Sequence, residues 1–237
     1  MNYYVKMVNS VAVFLVVALC SFQVNAETMS IGNTYAGYAS SDIETKYIDT
    51  ATGNLVDKDT FAGLFLVNYE GYNTWGFCVD LNTPLVLGTV FDQSTEFQYT
   101  TTFDPGDYSN NDMLKVEWLL DKYGDEAYDN GEPYKNKSAA LQLAIWEVLY
   151  DDDFQFVYTS GGPLSSLYEK YETYIDAFNN GFNSSYVSTG NYVVVDLQTN
   201  QGGDAQDIIV KVVPEPTTAL LLGFGLLGLC AVGRKRA

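Results

Sequence analysis

The chain has 237 residues and a formal charge of −18, with 47% hydrophobic and 15% aromatic residues, enough apolar material for one sizeable core. Thirty acidic residues against twelve basic ones leave no footprint for phosphates, which argues against nucleic acid, and the lack of any histidine removes histidine-ligated metal sites and the usual nucleophilic triads. A glycosidase built on paired carboxylates remains open but has no motif behind it and ranks last among the readings, and neither a cofactor nor a metal site is expected.

Lys6 precedes the apolar run Val11–Leu19, and Val24-Asn25-Ala26 supplies the modest residues a signal peptidase reads, so residues 1–26 are predicted to be a signal peptide cut after Ala26. A lipoprotein signal on Cys20 is disfavoured by the bulky Leu19 before it, and a first transmembrane helix by the shortness of the run. Beyond it, Ile31–Tyr38 reads as a strand broken by Gly32 and Gly37, and Asp49–Asn54 as a turn. Phe61–Tyr69 and Thr74–Val79 form two apolar runs around Glu70-Gly71-Tyr72-Asn73, which predicts a hairpin with Cys78 near its end. Period two puts Cys78 with Gly76 and Asp80, and Trp75, Phe77 and Val79 on the other face. Thr95–Phe103, rich in β-branched and aromatic residues, is a further strand.

The middle turns helical. Asn111 or Asp112 caps a helix carrying Leu114, Trp118, Leu119 and Tyr123 and stopping at Gly124; the acidic stretch Asp125–Pro133 follows and does not fit a calcium-hand loop. Ser138–Leu149 is a nearly all-apolar helix interrupted by one amide, Gln142, which shares a face with Ile145, Trp146 and Leu149. A buried primary amide costs a few kcal/mol unless it is satisfied, so Gln142 is either hydrogen-bonded or consumed in a covalent bond. After Gly161-Gly162-Pro163, a third helix carries a stripe from Leu164 to Phe178 and ends at Gly181. Tyr192–Leu197 and Ile208–Val213 return to strand around Gly202-Gly203. Strands, helices, then strands predict an α+β domain over residues 27–213: a β-sheet or sandwich core with a helical insert carrying the Gln142 motif.

At the C-terminus Pro214-Glu215-Pro216 leads into the apolar run Thr217–Val232, closed by Gly233-Arg234-Lys235-Arg236. Physics alone gives a short transmembrane helix with a positive stop. The three-part pattern over residues 214–237 resembles the PEP-CTERM sorting signal of exopolysaccharide-producing Gram-negative bacteria. The resemblance implies export, transient anchoring in the inner membrane, and cutting by an exosortase near Pro214-Glu215-Pro216, leaving the protein at the cell surface or in the extracellular matrix.

Removing both ends leaves 8 Lys, no Arg and 29 acids, since four of the twelve basic residues and one of the thirty acids lie there. Of three cysteines, Cys20 and Cys230 go with the ends, so residues 27–213 retain Cys78 alone. Three readings stay open for it: a buried small hydrophobe, half of an intermolecular disulfide, or a functional thiol.

Phe77-Cys78-Val79 together with Leu141-Gln142 and Ile145-Trp146 resembles the paired motifs of the thioester domain of bacterial surface adhesins, and the helix bearing Trp118 fits between them. The resemblance implies an internal Cys78–Gln142 thioester formed with loss of ammonia, a stored electrophile that an amine or hydroxyl on a target opens to leave an amide or ester. Holding thiol and amide at near-attack distance supplies the rate, and burial among Trp75, Phe77, Val79, Ile145 and Trp146 would exclude water. Gln142 is expected early in its helix, where backbone N–H groups would lower the thiol pKa or stabilise the oxyanion, and Asp80 is either a proton carrier or an ordinary surface acid. The adhesins are mostly wall-fixed Gram-positive proteins, so the expected target here is the producer's own exopolysaccharide or matrix protein, giving adhesion within a biofilm matrix. A noncovalent carbohydrate-binding module, suggested by nineteen tyrosines, is the alternative.

Overall fold

The computed structural model describes residues 28–38, 43–49, 52–81, 83, 85, 90–92, 97–100, 109–128, 134–158, 160–199, 206–212 and 225. The signal peptide with Cys20, the stretch 129–133, the Gly202-Gly203 turn, the sorting signal from Pro214 to Arg236, and the flanks of the Thr95–Phe103 strand lie outside the described residues, Gly225 excepted. The described elements run β1 (Thr28–Tyr38), β2 (Glu44–Ile48), β3 (Leu55–Asp59), β4 (Ala62–Tyr69), β5 (Tyr72–Cys78), β6 (Val90–Asp92), β7 (Phe97–Thr100), α1 (Asn110–Tyr128), α2 (Tyr134–Tyr150), β8 (Phe154–Val157), α3 (Ser165–Gly181), β9 (Tyr192–Thr199) and β10 (Ile208–Lys211). The fold is α+β.

Seven strands form one antiparallel sheet in the order β6-β1-β4-β5-β10-β9-β7, and its two outer strands, β6 and β7, also contact each other, so the sheet is curled. A second sheet has the order β3-β2-β8. Helix α2 packs on β1 and β4, on β8, and on both other helices, which makes it the centre of the described structure. Its residues Ser138 to Trp146 are all buried, as a helix without a polar stripe requires.

The β4–β5 hairpin forms where expected, with a tighter turn: Glu70 and Gly71 have φ of 52° and 84°, and pairing resumes at Tyr69↔Tyr72. Two successive residues with positive φ match the right-handed twist of the strands, and Gly71 supplies the second at no steric cost. The Asp49–Asn54 turn is also present, closed by Gly53 N–H to Asp49 O at 2.7 Å, and it joins β2 to β3.

Three expectations are corrected. Ser109 caps α1 in place of Asn111 or Asp112: Asp112 N–H donates to Ser109 Oγ at 3.2 Å while Ser109 N–H donates to Asp112 Oδ2 at 3.1 Å, a reciprocal capping box. Helix α1 runs through Gly124 to Tyr128. Gly124 is there for space, since a Cβ at that position would lie 2.5 Å from the Trp75 ring. The helical insert contains a strand, β8, which pairs with β2 at Tyr47↔Phe154 through Glu44↔Val157 and ties the helices to the N-terminal part of the chain.

Candidate functional site

The site begins where β4 and β5 part. Their register ends at Phe65↔Gly76, while β4 continues beside β1 to Tyr38↔Ala62. On its other side β5 pairs with β10 through Ile208↔Cys78, and Val79 N–H donates to Asp207 O at 3.0 Å. Alternate residues of an antiparallel strand send their N–H and C=O to alternate sides, so those of Cys78 point into the space that β4 has left.

Gln142 fills that space. Cys78 N–H donates to Gln142 Oε1 at 2.9 Å, and Gln142 Nε2 donates to Cys78 O at 2.7 Å. The side-chain amide thus acts as one more rung of the ladder, and both residues are buried, Cys78 at 4% exposure and Gln142 at 0%. Two groups 64 residues apart in sequence are joined by two hydrogen bonds with good geometry.

The five apolar residues expected around the pair, Trp75, Phe77, Val79, Ile145 and Trp146, are all buried in the same core. The two tryptophan rings also tie the site to neighbouring elements. Trp75 packs edge-on to Phe77 with centroids 5.8 Å apart and lies beside Tyr192 of β9 and Gly124 of α1; Trp146 lies 6.2 Å from Phe154 of β8. Trp118 packs on Phe178, Phe182 and Gly181, bracing α1 against α3.

The electrostatics differ from expectation. Gln142 stands midway along α2, two turns beyond its start at Tyr134, so the helix N-terminus does not act on the thiol. Burial pushes the Cys78 thiol up, the charge of Asp80 adds to that, and the charge of Lys58 opposes it. Cys78 is therefore a neutral thiol at neutral pH. Among the described residues no three or more acidic or cysteine side chains cluster as a metal site would require.

The segment after Cys78 is fastened by residues the sequence did not single out. Gln206 Nε2 donates to Asp80 O, Leu81 N–H donates to Tyr150 Oη at 3.0 Å, and Leu81 O accepts from Lys58 Nζ at 2.9 Å and Tyr47 Oη at 3.2 Å. Only Tyr150, closing the helix that holds Gln142, stood near a recognised motif.

Residues 212–236 match the family model described as the PEP-CTERM protein-sorting motif. The protein is accordingly an exported one, processed by exosortase and destined for the cell surface or the exterior. No helix among the described residues is long and apolar enough to cross a membrane, and the apolar run Thr217–Val232 lies outside them apart from Gly225. No curated protein matches. Among solved structures, the N-terminal thioester domain of a surface protein from Clostridium perfringens is similar at 12% identity and a TM-score of 0.32, covering 70% of this chain and 96% of that one.

Proposed function

We propose that the protein is a single-use covalent coupler of the cell surface or matrix, not an enzyme, in which Cys78 and Gln142 form an internal thioester that a target amine or hydroxyl opens. The observation that carries this reading is the reciprocal pairing of the Gln142 amide with the main chain of Cys78, which sets a lone exported thiol beside a buried, immobilised carboxamide. Pairing with the main chain fixes the amide carbon irrespective of the thiol rotamer.

The chemistry balances without a co-reactant. Cys78 Sγ adds to Gln142 Cδ, charge develops on Oε1, and the Cys78 N–H already directed at that oxygen stabilises it as an oxyanion-hole donor would. The thiol proton passes to Nε2, the C–N bond breaks, and ammonia leaves. Because the thiol is neutral, its proton must leave Sγ as the S–C bond forms, and the leaving nitrogen takes it up. In the second half a target amine or hydroxyl adds to Cδ, the C–S bond breaks, and a proton returns to Sγ, leaving an amide or ester on residue 142 and a thiol at Cys78. Burial of the pair keeps water from doing the same prematurely.

The exported span is taken as residues 27–213, with exopolysaccharide or matrix protein of the producing cell as target, a choice supported by a sorting motif that sends the chain to the cell surface or exterior. The test is attachment: protein recovered from the matrix of producing cells should run as an adduct resistant to boiling in detergent, and Cys78→Ala should abolish the adduct while the protein is still exported. Detergent-extractable protein with no adduct would favour a noncovalent carbohydrate-binding module.

A further inference from the structure

Helix α2 holds the strand end that carries Cys78 at two points, and the second has no part in the chemistry. At the first, Gln142 takes both main-chain groups of Cys78. At the second, Tyr150 accepts from Leu81 N–H at 3.0 Å. Gln142 and Tyr150 are eight residues apart, about 12 Å of helix axis. Cys78 and Leu81 are three residues apart, about 10 Å of extended chain. The spans agree, so α2 runs alongside residues 78–81 and grips them at both ends.

The far end is fixed from the other sheet as well. Leu81 O accepts from Lys58 of β3 and Tyr47 of β2, and the Tyr47 ring stands edge-on to the Tyr150 ring with centroids 5.9 Å apart. Both polar groups of this buried residue are thereby taken by side chains, and the Tyr47–Tyr150 contact sets where the Tyr150 hydroxyl sits. A single attachment at Cys78 would let the strand end pivot about the Gln142 amide. The second attachment removes that freedom, and thiol attack on an unactivated amide is steeply sensitive to it.

We infer that Tyr150, seated by Tyr47, is a positioning residue for coupling of Cys78 to Gln142, an inference that rests on the thioester reading above. It acts by fixing residues 78–81 relative to α2.

The test is the intact mass of freshly purified exported protein, wild type against Tyr150→Phe, with Tyr47→Phe as a second variant on the opposite side of the same residue. Tyr171→Phe is the control, because it deletes a hydroxyl that bonds Glu147 of α2 at 3.0 Å without touching residues 78–81. Wild type and Tyr171→Phe should lack one ammonia in nearly every chain. Tyr150→Phe and Tyr47→Phe, with unchanged circular dichroism, should show that deficit in a several-fold smaller fraction, the remainder having Cys78 open to alkylation after denaturation. A full deficit in both folded variants overturns the role of Tyr150 and leaves the thioester standing. An equal fall in Tyr171→Phe also overturns it, because the effect would then follow stability rather than position. Full mass in the wild type sinks the thioester and this role with it.

Discussion

At the level of single residues the two partners are not equivalent. Both hydrogen bonds use the main chain of residue 78, so Cys78→Ala keeps them and, compared with the protein whose thioester has been opened by methylamine, should cost only about 1 kcal/mol of stability. Gln142→Ala strips a buried N–H and a buried C=O of their partners and should cost about 3 kcal/mol or more, measured by urea denaturation. A second expectation follows from the thiol. Burial raises its folded-state pKa above the unfolded value of 9.0, so the neutral form stabilises the fold below that pH, and this contribution is lost as pH rises beyond it. Protein opened by methylamine, which carries the thiol again, should lose stability above about pH 9 more steeply than Cys78→Ala; equal slopes would show that the thiol is not buried as described. The cysteine and the glutamine were legible in the sequence because each is an odd residue in its setting: the one thiol left after processing, and an amide in an apolar helix. Lys58, Gln206 and Tyr47 were not, since they act on main-chain atoms far away in sequence and leave no local pattern.

At the level of elements, the position of α2 decides the site. It is wedged between the sheets and both other helices, and it meets β5 where β4 has turned away. The close approach of α1 to β5 belongs to the same packing. Gly124→Ala would place a methyl 2.5 Å from the Trp75 ring, so despite the better helix propensity of alanine it should destabilise by about 1–3 kcal/mol, read as a lower urea midpoint. An unchanged midpoint would mean that Trp75 does not lie on that helix. Apolar periodicity made β4, β5, α2, α3, β9 and β10 legible. The hairpin of β2 and β3 escaped because Leu55-Val56-Asp57-Lys58-Asp59 has three consecutive charged residues and no apolar alternation, an edge strand exposed at 55, 57 and 59 and only half-buried at 56 and 58. Strand β8 escaped because four residues between a helix and a Gly-Gly-Pro turn carry too short a pattern, and its pairing with β2 is a long-range matter. Gly124 read as a helix stop because a glycine kept for space and one kept for a turn look alike in sequence.

At the level of the whole molecule, the proposed coupling would join the sorted C-terminus and the buried cysteine–glutamine pair in one route. The sorting motif at residues 212–236 brings the chain to exosortase, and coupling outside the cell would then fix it in place. Cells lacking exosortase should retain the uncut C-terminus, detected as a longer chain in the membrane fraction; normal processing there would contradict the sorting assignment. Coupling itself is tested most directly by the intact mass of the reduced exported protein, with and without methylamine. The account predicts a mass short by one ammonia, and after methylamine a methylamide on Gln142 with a newly alkylatable Cys78. The full unmodified mass, unchanged by methylamine, would contradict it and leave Gln142 as a hydrogen-bonded rung of the sheet and nothing more.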